Sequence, residues 1–438
     1  MGANALVLKR TRKWAPRENI APKMTKTRDG VLRVASNGSE GCYGGWELLY
    51  PAAKAGTWVR CHVRARWQAL ERGYDSVNVA ALWLDKDGRQ VGWAPLLPAG
   101  VRHGRVVYEN TACVPPDAQT LVLRLLIAWS ATGGIEWSEP EVAPIAAPRA
   151  RRMRLAAAGG PPPPGRRTLA RLREFYLGLC RQAARRDVDL LCLPEVILSW
   201  GVRADNETAW RRAIAVPGPE LQPFLDFARE ARMALAFSVH ERNAELKHNT
   251  AVLIDRRGRL VGKYRKVHLA QPSEVWGGTT PGHDFPVFKL GRARVGMYIC
   301  MDSSAAESSR VLARNGAEII CVPIMGDHRA RWPWEKGLHL SEFDMDRWTL
   351  IQRMRAMDNH VYMVVARNNG YGSGIFSPRG EVLAVSGGGQ LVHADVDLSD
   401  LALTWTGARF RDVCWYMRRE PAYGPLSGDL LPDPFAES

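Results

Sequence analysis

The spacing of apolar residues changes once along this chain, near residue 150, and that change limits the possible folds more than any other feature. From about residue 30 to residue 142, apolar and polar side chains alternate in short runs: WVRCHVRARW, SVNVAALWLD, RVVYENTACV and TLVLRLLIAW. Alternation with period two buries one face of a strand. The turn-forming stretches DKDGRQ and VPPDAQ separate these runs, and no helical pattern interrupts them. An all-β sandwich of the jelly-roll kind follows.

Past the Pro-, Ala-, Gly- and Arg-rich stretch at residues 143–167, strands and helices alternate. RMRLAAA reads as a strand, LARLREFYLGLCRQAARR as an amphipathic helix, and VDLLCLPE as a strand buried on both faces. The pattern continues with helix ELQPFLDFAREAR, strand ALAFSVHE, hairpin HNTAVLIDRRGRLVGKYRKVHL, strand ARVGMYIC, helix AAESSRVLARNG and strand AEIICVP. Helix TLIQRMRAMDN, strand VYMVVARN and hairpin GSGIFSPRGEVLAV complete it. A chain of 438 residues is too long for one ordinary core. The reading is a β-sandwich accessory domain over residues 1–148 and an α/β domain over 149–438.

Hydrophobic residues make up 46% and charged residues 24%, which excludes wholesale disorder. The net charge of +15 would suit an anionic partner, but the basic residues are scattered, and no recognition helix or aromatic-basic platform accompanies them. Nucleic acid is therefore not expected as a partner. No run of apolar residues is long enough for a signal peptide or a membrane span, so a soluble cytoplasmic protein with no membrane partner is expected. The eight cysteines, at 42, 61, 113, 180, 192, 300, 321 and 414, form no CxxC pair. Reduced thiols fit them better than disulfides or a zinc site.

Three residues with reactive side chains, Glu195, Lys266 and Cys300, fall at or near the C-terminal ends of expected strands, in LLCLPE, GKYRKVHL and RVGMYIC. Open α/β sheets place their sites on that rim. The segments PE, YRKVHL and VGMYICMD, in this order with their reactive residues 71 and 34 positions apart, resemble the three signatures of the nitrilase superfamily. HNTAVLID, TPGHDFPVF, RAMDNHVYMVVARNNG and GSGIFSPRGEVLA extend the resemblance over residues 150 to 426. It implies an α-β-β-α layered fold, a homodimer or larger oligomer, and no cofactor or metal. It also implies hydrolysis of a non-peptide carbon–nitrogen bond in a small amide or N-carbamoyl substrate.

In that scheme Cys300 is the nucleophile, Glu195 the general base and Lys266 the cation that lowers the thiol's pKa and stabilises an oxyanion. Glu274, in PSEVWGGTTPG, matches the family's second glutamate, which holds the lysine and orients substrate. Asp302 gives the Cys-x-Asp of amidase-like branches rather than the Cys-Trp-Glu of nitrilases, and it is a second candidate for orienting substrate. Asp302 and Glu307 would also favour the N-terminal turn of the following helix. His268 offers a Cys–His dyad, though the neighbouring lysine fits the family better. The stretch at residues 324–348, with His328, Arg329, Trp332, Trp334 and His339, is a candidate for substrate contacts.

No HExxH, GxxxxGK[ST], GxSxG or strand-linked GxGxxG occurs. A nitrile hydrolase or an amide-forming acyltransferase of the same fold are the near alternatives. The more distant one starts from the first domain, which resembles a carbohydrate-binding module through GGW…PAAKAGTWVRCHVRAR. Trp46, Trp83 or Trp93 could stack on a sugar there, beside a hydrolase domain that has lost activity.

Overall fold

The computed structural model describes residues 5–162, 164–202, 204–325, 340–368, 372–387, 390–399, 412, 418 and 420–426. The chain divides into two compact units, residues 1–149 with 401–438, and residues 150–400. No helix among the described residues is long and apolar enough to cross a membrane.

The first unit holds strands β1 (Arg10–Trp14), β2 (Lys23–Lys26), β3 (Leu32–Ala35), β4 (Tyr43–Pro51), β5 (Trp58–Gln68) and β6 (Val77–Leu84). It continues with β7 (Gln90–Pro95), β8 (Leu97–Arg102), β9 (Arg105–Cys113), β10 (Thr120–Ala128) and β11 (Gly134–Ile145). They form two antiparallel sheets, ordered β1-β4-β10-β6-β7 and β2-β3-β11-β5-β9-β8. The period-two pattern does what it promises. On β5, Val59, Cys61, Val63 and Ala65 are buried in the core between the sheets, where Leu121, Leu123, Leu125 and Ile127 of β10 join them. Burying each such aliphatic side chain contributes roughly 1.5–3 kcal/mol for the larger ones.

Trp46 and Trp83 are 6% and 1% exposed and belong to this core. They cannot serve as sugar-stacking platforms. Trp93 is half-buried against Ala80, Leu82 and Val122. Strands β1 and β2, which the sequence pattern did not suggest, both lie at sheet edges. Their sequences RTRKW and KMTK carry the cations that edge strands tolerate and central strands do not.

The second unit contains β12 (Arg152–Ala158), β13 (Leu190–Cys192), β14 (Ala234–Asn243), β15 (Leu246–Ile254), β16 (Leu260–Arg265) and β17 (Val287–Leu290). It continues with β18 (Ala293–Met297), β19 (Ile319–Ile324), β20 (Tyr362–Arg367), β21 (Gly374–Phe376), β22 (Val382–Val385) and β23 (Leu391–Asp397). Its helices are α1 (Leu169–Ala184), α2 (Asn206–Arg211), α3 (Gln222–Ala231), α4 (Ser273–Trp276), α5 (Ala306–Arg314) and α6 (Leu340–Asn359). Two six-stranded sheets, β16-β15-β14-β13-β12-β23 and β17-β18-β19-β20-β21-β22, meet through β12, β13 and β14 on one side and β19 and β20 on the other. α1 and α3 pack on the outside of the first sheet, α5 and α6 on the outside of the second. This is the α-β-β-α order expected.

α1 shows why the layers hold. Leu172, Tyr176, Leu179, Cys180 and Ala183 recur at helical spacing on its buried face, and Thr168 caps its first turn by accepting from the Arg171 amide. The central parallel strands pair in register, Leu155 with Leu190 and Leu190 with Ala234, then Val295 with Ile319 and Ile319 with Tyr362. Their C-terminal ends therefore gather at one rim. α6 begins nine residues before the helix expected from sequence, because LSEFDMDRW lacks an apolar stripe but also lacks any Gly or Pro to stop a helix.

Candidate active site

Each expected reactive residue stands just past a strand at that rim. β13 ends at Cys192, and the chain then turns through Val196, at φ +45°, with Leu193 N–H still bound to Ala236 O and Val196 N–H to the Ser238 hydroxyl. The Asn368 amide donates to the Glu195 carbonyl at 3.2 Å. Glu195 is thereby fixed with its side chain 2% exposed. Lys266 follows β16 directly, its backbone tied to Asn249 O and Gly282 N. Cys300 opens a short 3-10 turn (Cys300–Ser304) after β18 and sits at φ +43°.

The side chains converge. The Lys266 ammonium donates to Glu195 Oε1 at 2.9 Å and to Glu274 Oε2 at 2.6 Å, and it is 1% exposed. Glu274, in α4, also accepts from Ala270 N–H at 2.7 Å. Asn249 of β15 closes the ring, donating from Nδ2 to Glu195 Oε1 at 2.7 Å and to Glu274 Oε1 at 2.8 Å. The Ser238 hydroxyl orients that amide by donating to Asn249 Oδ1 at 3.0 Å. Two carboxylates are thus held by one ammonium and one amide.

Met325, at the end of β19, joins base and thiol. Its N–H donates to Glu195 Oε2 at 2.5 Å, and its carbonyl accepts from Cys300 Sγ at 3.6 Å.

The two glutamates titrate in opposite directions. Burial pushes the Glu195 carboxyl above the usual range, Lys266 pulling against it and Glu274 pushing with it. Burial would raise Glu274 as well, but Lys266 and the bonds from Ala270 and Asn249 outweigh it and hold that carboxyl low. The same lysine thus leaves the two carboxyls shifted apart, Glu274 down and Glu195 up. Burial pushes the Cys300 thiol well up, with Glu195 adding to the effect and Lys266 opposing it. Burial disfavours the Lys266 ammonium, yet Glu195, Cys300 and Glu274 together hold it above its ordinary pKa.

Asp302 has a different setting from the one expected. It is fully buried, and its carboxylate accepts from the Tyr264 hydroxyl at 2.6 Å and from Ile299 N–H, His268 N–H and His268 Nδ1, each at 2.8 Å. Four protein donors occupy it, so what it orients is the turn that carries Cys300 rather than a substrate. His268 is likewise committed to Asp302 and not to the thiol. Glu307 lies in the first turn of α5.

His328, Arg329, Trp332, Trp334 and His339 lie outside the described residues. Among the described residues no three His, Cys, Asp or Glu side chains gather in a way that would hold a metal ion.

Asn249 is the member that sequence reasoning missed. It stands in the polar stretch KHNT, just before the apolar run AVLI, and nothing in that pattern marks it out.

A fold of two facing sheets between helix layers is that of carbon–nitrogen hydrolases. The crystal structure of such a hydrolase from Helicobacter pylori superposes with a TM-score of 0.54, at 20% identity over 63% of this chain and 98% of its own. Residues 154–404 match the sequence family described as carbon-nitrogen hydrolase, more than half the chain, and the chain belongs to that family of the nitrilase superfamily. The omega-amidase of Bos taurus is 30% identical over 51% of this chain and 82% of its own length. A nitrilase of Pyrococcus abyssi is 30% identical over 48% and 76%.

Proposed function

We infer that the chain hydrolyses the amide of a small carboxylic acid through a thioester on Cys300, with Glu195 as general base and acid and Lys266 as oxyanion stabiliser. The observation that carries this reading is the Lys266 ammonium, buried between two carboxylates of opposite titration, one of which is joined to the thiol through Met325. Groups whose environments push their pKa values apart are the ones that divide acid and base roles.

The thiol proton passes to Glu195 as sulfur bonds the carbonyl carbon, and the carbonyl electron pair moves onto oxygen. Lys266 and the backbone N–H of Met301 face that charge. Glu195 returns the proton to nitrogen as the C–N bond breaks and ammonia or an amine leaves. Glu195 then takes a proton from water, the hydroxide adds to the thioester, and the C–S bond breaks to release the acid and the thiol.

Glu274 and Asn249 position Lys266 and Glu195, and Asp302 positions the Cys300 turn. The likeness to an omega-amidase supports an amide of an acid that carries a second functional group, and the likeness to a nitrilase supports a nitrile as the alternative electrophile.

The test is ammonia or amine release from a panel of amides, N-carbamoyl compounds and nitriles. Amides are expected to turn over in the native protein, with loss of all activity in Cys300→Ala. Activity retained by that variant would overturn the reading.

A further inference from the structure

The second unit carries a groove of about 1050 Å³ whose walls hold Arg166, Arg167, Arg211, Arg212 and Arg242 against one carboxylate, Glu220. None of Glu195, Lys266, Glu274 and Cys300 is among its described lining residues. The arginines come from three separate stretches: the lead into α1, the end of α2 with its cap, and the end of β14.

Two of the guanidiniums are fixed by stacking, Arg167 over Trp200 at 5.2 Å and Arg242 over Trp210 at 5.5 Å, and they also donate to the carbonyls of Pro162 and Arg211. Stacking sets the plane of the cation without neutralising it. Arg211 pairs with Glu207, but both side chains are well exposed, and such a pair screens the groove weakly. Arg166 and Arg167 also line a hollow of about 480 Å³ together with Arg171 and one carboxylate, Glu174, so the excess of positive charge extends beyond the main groove.

We propose that this groove binds a ligand bearing several linked phosphates, an oligophosphate either free or as the phosphate chain of a nucleotide. Guanidinium forks match phosphate oxygens two at a time, and several cations in one concavity call for several anionic charges in one ligand. The two nearby indoles each already carry a guanidinium on one face. Neither they nor any other aromatic side chain is among the groove's described lining residues, so a nucleobase has no stacking partner there, and free and nucleotide-borne phosphate chains should bind alike. The site is independent of the amide chemistry inferred for Cys300.

The experiment is calorimetric titration of the full chain with inorganic tripolyphosphate near physiological salt. Saturable one-to-one binding is expected, weakened at least about tenfold, or ~1.4 kcal/mol, in the double variant Arg166→Glu/Arg212→Glu. It should be unchanged in Cys300→Ala and in a control, Arg72→Glu/Arg89→Glu, that reverses two exposed cations of the first unit. Arg166→Gln/Arg242→Gln, a milder pair, is expected to weaken binding too, and it serves if the reversal melts early. Absence of saturable binding, equal loss in the control, citrate binding as tightly, or a single-stranded oligonucleotide displacing tripolyphosphate at far lower concentration would each overturn the proposal.

Discussion

Asn249 is the residue whose removal should be most informative, because it touches both glutamates and would touch no substrate atom in the inferred chemistry. Asn249→Ala leaves the Lys266, Met325 and Ala270 contacts in place but removes one donor from each carboxylate, loosening both. The expected outcome is a fall in kcat of about 10- to 100-fold, the scale seen when supporting partners of functional groups are lost, with little change in KM. Steady-state kinetics on the best amide would check it, and an equal rise in KM would point to a substrate contact instead. The acid limb of the rate profile should sit above the ordinary carboxylate range, because the base must be ionised and burial raises Glu195. At this scale the sequence pattern set Glu195, Lys266 and Cys300 at one rim of the sheets, where the structure brings them together. It was silent on Asn249, since an asparagine within a strand announces no partner. For Asp302, spacing shows that a carboxylate is near a thiol but not that four donors already claim it.

Among elements, the rim depends on how β14, β15 and β16 are tied together. Glu241, near the end of β14, accepts from Thr250 of β15 and from Lys263 and Arg265 of β16, immediately before Lys266. Burial would raise this carboxyl, but the bonds from Arg265, Lys263 and Thr250 outweigh it and bring its pKa to about 2. A carboxyl depressed in the folded state contributes stability that is fully present above its unfolded pKa, near 4.3, and is lost as pH falls towards about 2. Glu241→Gln should therefore cost about 1.5–3 kcal/mol at neutral pH, the worth of hydrogen bonds to a charged group, and the difference from the native protein should close in acid. Melting temperatures of the two proteins between pH 2 and pH 7 test this, and a gap independent of pH would contradict it. The strands and helices of this unit were readable because burial on one or both faces imprints a period on the sequence. β1, β2 and the start of α6 were not, since an edge strand and an unstriped helix turn carry no such imprint.

For the whole molecule, two units with separate cores should unfold in two steps. Scanning calorimetry is expected to resolve two transitions, and one sharp transition would mean that the units are thermodynamically coupled. Charge is the property that sequence resolved least at this scale. The value of +15 is plain from composition, but Arg166, Arg212 and Arg242 lie far apart along the chain, and only folding brings them to one groove. Cys300 also bears on the molecule's overall stability. Its left-handed backbone suits glycine, and holding any other residue there costs on the order of 1–3 kcal/mol. The folded chain is thus less stable than its own fold permits, and relieving the backbone at this position should make it sturdier. Cys300→Gly should melt at or above Cys300→Ala, the reverse of the order these two residues show in ordinary helices and strands, where glycine is worse by about 0.5–1 kcal/mol. A cysteine held at that backbone in spite of the strain fits the nucleophilic role inferred for it.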